Sequence, residues 1–281
     1  MKKIAVVGAT GLVGRQIVQL CESFFDKSVE YIFYASERSA GSSIKINNQE
    51  NTIKLLSTEN IEKVDLALFS AGGERSREFA EGFLDKGAFV VDNSSAFRSE
   101  EEVPLVVYGV NEQVLSTETR LIANPNCTTM VLVMALKPMH DSFALEAIVP
   151  TSYQAVSGSG LEATESLERE NKLGTKLDEN YEEGYYGRPI ANNVIPLAGR
   201  LTENDYSDEE MKFVNESRKI LGIPNLIVEP SNARVGVKTG HGIFCSATFR
   251  DEINLKKVIE LINTHKGIEY WKDKLPTPLD A

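Results

Sequence analysis

Apolar residues recur along the first third of the chain in two rhythms. Short continuous runs at Ile4 to Val7, Tyr31 to Tyr34, Leu66 to Phe69 and Phe89 to Val91 have the length of buried strands. Between them, Val13 to Phe24 and Phe79 to Leu84 are amphipathic. Strand-like runs that alternate with amphipathic stretches predict βαβ units and a parallel sheet. Leu121 to Ala123 predicts one more short strand, and Thr129 to Leu136 a helix ending near Pro138.

Beyond that proline the rhythm changes. Longer strand candidates at Leu145 to Val156, Leu226 to Val237 and Ile243 to Phe249 are interleaved with helices at Gly160 to Lys172, Asp208 to Leu221 and Leu255 to Thr264. The predicted class is therefore α/β: a Rossmann-like parallel-sheet domain over residues 1–126, followed by an α+β catalytic and dimerisation domain over 127–281. Gly174 to Gly187, rich in Asp, Glu, Gly and Tyr, reads as a surface excursion or an oligomer contact.

Composition narrows the partners. A length of 281 residues allows two cores, and a net charge of -11 argues against general binding to nucleic acid, which needs clustered Lys and Arg. No apolar run approaches the ~20 residues of a bilayer span, and the apolar stretch after Met1-Lys2-Lys3 is too short for a secretory signal, so a cytoplasmic protein is expected. The cysteines, Cys21, Cys127 and Cys245, are odd in number and far apart, which fits neither a disulfide framework nor a zinc site. The histidines are His140, His241 and His265.

Gly8, Gly11 and Gly14 follow the first strand and open the first helix, in the run Val7-Gly8-Ala9-Thr10-Gly11-Leu12-Val13-Gly14. Glycines there let backbone amides approach a pyrophosphate held at the helix N-terminus; a merely tight strand-to-helix turn is the bland alternative. At the end of the second strand, Ser36, Arg38 and Ser39 form a candidate pocket for a 2′-phosphate, favouring NADP, whereas Glu37 is the competing NAD signal. Ser70, Ala71 and Gly72 follow the strand Leu66 to Phe69, where small residues would let a cofactor lie across the sheet edge.

Cys127 stands after a short strand and at a predicted helix N-terminus, where the helix dipole favours the thiolate. Cys21 lies among apolar helix residues and Cys245 in a strand, so both are expected in the core. His241, flanked by glycines, is expected in an accessible turn between two strands; His140 and His265 fall at helix ends, where capping is the expected duty.

The run Val7 to Gly14, the segment Ala35 to Gly41, Asp92-Asn93-Ser94-Ser95-Ala96-Phe97-Arg98, Asn124 to Thr129 and Tyr153-Gln154-Ala155-Val156-Ser157-Gly158 together resemble the aspartate-β-semialdehyde dehydrogenase family. The resemblance implies a Cys127 nucleophile, a positioning role for Gln154 and His241 as general acid/base. It further implies that Arg234 holds the substrate carboxylate, Glu209 its amino group, and Arg98 and Lys212 the phosphate. Asn93 and Ser157 would also face substrate, and Gly158 the cofactor. The implied reaction is NADP-dependent interconversion of L-4-aspartyl phosphate and L-aspartate 4-semialdehyde, with phosphate exchanged through a cysteine thioester, in lysine, threonine and methionine biosynthesis. A homodimer or homotetramer is implied as well.

By helical spacing alone Glu209 and Lys212 would read as a solvated ion pair. The sequence departs from the family at Gly236, where a proline is usual, and at Gly242, where serine is; glycine at 236 is expected to loosen the strand that carries Arg234. The chain stops at Ala281 where the family continues for several dozen residues, so a last strand and helix are expected to be missing. Two other readings compete: a catalytically silent homologue acting as a binding or regulatory protein, and N-acetyl-γ-glutamyl-phosphate reductase. The latter usually has Gly and Tyr around its cysteine where Asn126 and Thr128 stand here.

Overall fold

The structure is a computed structural model that describes residues 2–174, 181 and 184–280. Of the excursion expected at Gly174 to Gly187, residues 175–180, 182 and 183 lie outside the described ones. The chain forms two compact units, Met1–Val106 with Glu112–Pro125, and Val107–Asn111 with Asn126–Ala281.

The first unit runs β1 (Lys3–Val7), α1 (Leu12–Phe24), β2 (Glu30–Ala35), β3 (Ser43–Ile46), β4 (Gln49–Thr52), β5 (Lys54–Leu55), β6 (Leu66–Phe69), α2 (Gly73–Asp85), β7 (Phe89–Asp92) and β8 (Leu121–Ala123). Six strands form a parallel sheet in the order β5-β2-β1-β6-β7-β8. Alternation along each strand divides its apolar residues between two cores. Ile4, Val6, Tyr31 and Phe33 pack with Val18 and Cys21 of α1, whereas Ala5, Val7, Tyr34, Ala67 and Phe69 pack with Phe79 and Phe83 of α2. Covering both faces is why these strands read as continuous apolar runs. The antiparallel hairpin β3–β4, absent from the sequence reading, turns at Asn47 and Asn48, both with positive φ, as a two-residue hairpin turn requires.

The second unit contains α3 (Cys127–Phe143), β9 (Leu145–Gln154), a 3-10 turn at Val156–Ser159, α4 (Leu161–Leu173), β10 (Val194–Ile195), α5 (Asp208–Leu221), β11 (Ile227–Val228), β12 (Ser231–Val235), β13 (His241–Phe249) and α6 (Leu255–Thr264). β9 is the central strand: β13 lies antiparallel along one edge, while β11 and then β12 run parallel along the other. The strand expected over Leu226 to Val237 is thus two, interrupted at Glu229-Pro230, where proline has no N–H for a ladder.

The helix expected to stop near Pro138 continues to Phe143 and ends on the left-handed Ala144. Its last turns bury Leu136, Pro138 and Phe143, a tertiary gain that offsets the lost hydrogen bond. Among the described residues, no helix is long and apolar enough to cross a membrane.

Candidate active site

In the first unit the glycine turn is forced by close backbone approach. A Cβ on Gly8 would lie 2.4 Å from the carbonyl oxygen of Ser70, and one on Gly14 2.1 Å from that of Gly8. Gly8 also has φ +85°, a conformation that side chains rarely adopt. Only bare Cα atoms let α1 start this close to β1 and β6. Gly8, Thr10, Gly11, Ala35, Ser36, Ser70 and Ala71 line a cavity beside the turn. Ser36, Glu37 and Arg38 line an adjoining open one of about 530 Å³. The donors and the cradle fit a dinucleotide, with Arg38 and Glu37 facing the same space.

Other expected cofactor residues flank this surface or lie beneath it. Ala9 is fully buried and its N–H bonds Tyr34 O. Leu12, Val13 and Gly14 form the first turn of α1; Ser39 Oγ is 3.3 Å from Thr10 Oγ1; and Gly72 precedes α2. Arg75, in the first turn of α2, lines both cavities and was not anticipated, because nothing local in the sequence aims it there.

Also in the first unit, Arg98 donates from Nε to Asn124 O at 2.9 Å and from Nη2 to Asn93 O at 3.0 Å. Asn93 Oδ1 accepts from Asn124 Nδ2 at 2.6 Å. The arginine is thereby fixed at the ends of β7 and β8. Fully buried Asp92 tightens the same corner, accepting from Ser76 Oγ and Ser94 Oγ.

In the second unit, strand register does what the sequence could not reveal. Gln154 pairs with Arg234 on one side and with His241 on the other, so three strands set Arg234, Gln154 and His241 in one row. His241 is the first residue of β13 and not a loop residue as expected; Gly240, with φ +86°, turns the chain into the strand just before it. Cys127, the first residue of α3, is exposed and brings Sγ to 3.1 Å from His241 Nε2. Gly158 borders the row, where a Cβ would lie 3.5 Å from Arg234 Nη1 and 3.8 Å from His241 Cε1. Ser157 is in the adjoining 3-10 turn.

His241 Nδ1 accepts the backbone N–H of Ala155 at 3.1 Å. A neutral ring so engaged carries its proton on Nε2, which then points at the sulfur; the tautomer follows from the hydrogen-bond pattern. Burial, and then the charge of Arg234, hold the imidazole below its ordinary pKa of 6.5. The pair is accordingly a neutral donor facing a sulfur acceptor.

Arg234 is almost fully buried, gives Nη1 to Ala155 O at 2.7 Å, and has a buried Nε without a partner. The Tyr186 ring covers its guanidinium at 5.9 Å. A permanent cation left with an unsatisfied N–H favours an anionic partner such as a carboxylate beside it. Gln154, also buried, donates to Ser152 Oγ at 3.2 Å.

Glu209 and Lys212 of α5 form an ion pair, and its side chains are largely covered, not solvated as their spacing suggested. Glu209 Oε2 accepts from Asn126 Nδ2 at 3.1 Å, which directs the pair toward the residue before Cys127. Asn126 caps α3, its Oδ1 accepting from Thr128 N at 3.0 Å.

The other cysteines differ from this one and from each other. Cys21 is buried and its thiol is pushed up to about 11 by desolvation. Cys245, expected in the core, is exposed, since among the described residues β13 pairs only with β9. His140 Nδ1 accepts from Leu145 N at 3.2 Å at the end of α3, and His265 caps α6. At Gly236 an added Cβ would lie 2.6 Å from Ile190 O, so the residue beyond β12 admits a neighbouring carbonyl. A Cβ at Gly242 would make only ordinary contact with Tyr153, at 4.0 Å.

Similarity to known proteins extends over the whole chain. Residues 3–118 match the family model described as semialdehyde dehydrogenase, NAD binding domain, and residues 136–281 that described as semialdehyde dehydrogenase, dimerisation domain. The aspartate-semialdehyde dehydrogenase of Corynebacterium glutamicum is 42% identical over 299 residues, covering 100% of this chain and 86% of the relative. That of Bacillus subtilis is 36% identical over 292 residues, covering 99% and 84%. The crystal structure of aspartate semialdehyde dehydrogenase II from Vibrio cholerae superposes with a TM-score of 0.93 at 34% identity, covering 99% of this chain and 84% of that one. The same enzyme complexed with ASA gives 0.92 at 33%, with the same coverage. With two family models spanning most of its length and relatives this similar over all of it, the chain belongs to the aspartate-semialdehyde dehydrogenase family.

Proposed function

We propose that the chain interconverts L-4-aspartyl phosphate and L-aspartate 4-semialdehyde with NADP, through a thioester on Cys127, in the biosynthesis of lysine, threonine and methionine. The observation that carries this reading is the 3.1 Å approach of Cys127 Sγ to His241 Nε2 at the end of the Arg234–Gln154–His241 row.

In the oxidative direction the thiolate adds to the aldehyde carbon, and the carbonyl π pair moves onto oxygen. His241 Nε2–H, already facing the sulfur, can donate to that oxyanion, which is the acid half of its acid/base role. Bound NADP supplies the hydride acceptor, and NADPH the donor in reverse. Loss of hydride restores the carbonyl as a thioester, a phosphate oxygen attacks it, and the C–S bond breaks to return the thiolate.

Arg234 holds the substrate carboxylate, Glu209 the amino group, and Arg98 and Lys212 the phosphate; Gln154 positions the acyl group. Asn93 and Ser157 adjoin the substrate, and Gly158 the cofactor. In the first unit, Ser36 and Arg38 favour the 2′-phosphate of NADP over NAD. The match to a dimerisation domain supports a homodimer, which we extend to a tetramer of two such pairs, located in the cytoplasm.

The test is turnover by the purified chain with L-aspartate 4-semialdehyde, inorganic phosphate and NADP. Activity that requires phosphate, prefers NADP over NAD, and vanishes in Cys127→Ser while NADP binding persists is the expected result. NADP binding without turnover by the native chain would instead identify a silent homologue, and better use of N-acetyl-γ-glutamyl semialdehyde the longer-chain enzyme.

A further inference from the structure

One buried carboxylate has no part in the chemistry above. Glu216 lies on α5, 5% exposed, and its Oε2 accepts the backbone N–H of Asn126 at 2.7 Å. Asn126 is the N-cap of α3, and the next residue is Cys127.

Helix starts commonly satisfy this N–H locally: in a capping box the third helical residue, Glu or Gln, reaches back to the N-cap amide. α5 has that box, with Ser207 Oγ accepting from Glu210 N at 3.1 Å and Glu210 Oε2 accepting from Ser207 N at 2.7 Å. In α3 the corresponding position is Thr129, a side chain without a carboxylate. The acceptor comes from another helix.

We infer that Glu216 is a positioning residue for the nucleophile, completing the capping box of α3 in trans and so fixing where Cys127 Sγ stands relative to His241. This rests on the reading of Cys127 as the nucleophile. Glu209, Lys212 and Glu216 occupy positions separated by three and four residues, so one face of α5 presents all three. Through Asn126, whose Nδ2 meets Glu209 and whose N–H meets Glu216, that face grips both ends of the N-cap residue. Turning this residue would carry Cys127 away from Nε2 and release Glu209 together. A negative charge near a thiol opposes its ionisation, so the service of Glu216 is to accept a hydrogen bond, not to activate sulfur.

Glu216→Gln keeps an acceptor oxygen at the same reach and removes the charge; Glu216→Asp keeps the charge and withdraws the oxygen by one methylene; Glu216→Leu removes both. Turnover is measured per NADP site, titrated by cofactor binding, which only folded chains offer, so that loss of folded protein alone leaves the value unchanged. Glu216→Gln should stay within about threefold of the native chain, whereas Glu216→Asp and Glu216→Leu should fall by about tenfold or more in kcat, the worth of one buried hydrogen bond. Should Glu216→Leu not fold, the Asp and Gln variants carry the comparison.

Native turnover per site in Glu216→Asp or Glu216→Leu would overturn the inference, and so would a Gln variant as impaired as the Asp one, which would make charge the operative property. Persistence of turnover in Cys127→Ser would instead remove the nucleophile on which it rests.

Discussion

A guanidinium as enclosed as that of Arg234 normally spends its N–H groups on acceptors, yet Nε has none while Nη1 reaches Ala155 O. Leaving such a donor unsatisfied costs roughly 1–3 kcal/mol, which a substrate carboxylate would recover. Arg234→Met removes the donor and the seat together. KM for the semialdehyde should rise by about a hundredfold, while thermal stability changes little, because the lost Ala155 contact is offset by relief of the orphan N–H. An unchanged KM would remove Arg234 from the substrate. The same substitution tests the histidine. Burial first, and Arg234 second, keep His241 neutral, so the acid limb of kcat/KM should lie below pH 6.5. Without the arginine's charge that limb should move up toward 6.5. The sign for stability is parallel: the unfolded chain takes up the proton near 6.5 and the folded chain only at lower pH, so stability falls as pH drops through that window. At this scale Cys127 was legible from its place between strand and helix. Arg234 and Gln154 were nominated by family resemblance alone, since their alignment with His241 depends on register between segments some 80 residues apart, and no local pattern encodes that.

The glycine turn shows where a single element is built to a tolerance. α1 can start beside β1 only because Gly14 lets the carbonyl of Gly8 approach, whereas a Cβ on Gly11 would stand at an acceptable 3.4 Å from the same oxygen. Gly14→Ala should push α1 off the sheet at a cost of about 1–3 kcal/mol and abolish NADP binding. Gly11→Ala should fold with near-native stability. Denaturant titration and cofactor binding measured on both variants decide the matter, and equal behaviour would mean that contact with Gly8 does not set the turn. The strand and helix of this turn could be read because their periods are strong and adjacent. Elements that escaped reading lack such a period: β4, Gln-Glu-Asn-Thr, is polar on both faces, and β10 has only two residues. Pro138 misled for the opposite reason, being a strong local stop signal overridden by burial of the helix around it.

At the scale of the molecule, the two sheets differ in how their faces are covered. The parallel sheet buries both, and its strands announced this as unbroken apolar runs. In the second unit, β9 alternates buried and exposed positions, and exposed apolar residues stand on its outward side: Val149 and Tyr153 flank Thr151, with Phe244 of β13 packed edge-on to Tyr153 at 6.1 Å and 74% exposed. Ile227 and Val194 extend the patch onto β11 and β10. A face of this composition, in a segment that matches a dimerisation domain, suits a second copy of itself packed about a twofold axis, where every contact occurs twice. Phe244→Glu should then be disproportionately damaging: each copy forfeits about 1.5–3 kcal/mol of burial and buries an unpaired charge besides. Light scattering at micromolar concentration should report the native chain as a dimer or larger and the variant as the 31.1 kDa monomer, still folded by circular dichroism. A variant that keeps the native mass, tested alongside Tyr153→Glu, would move the interface to another surface.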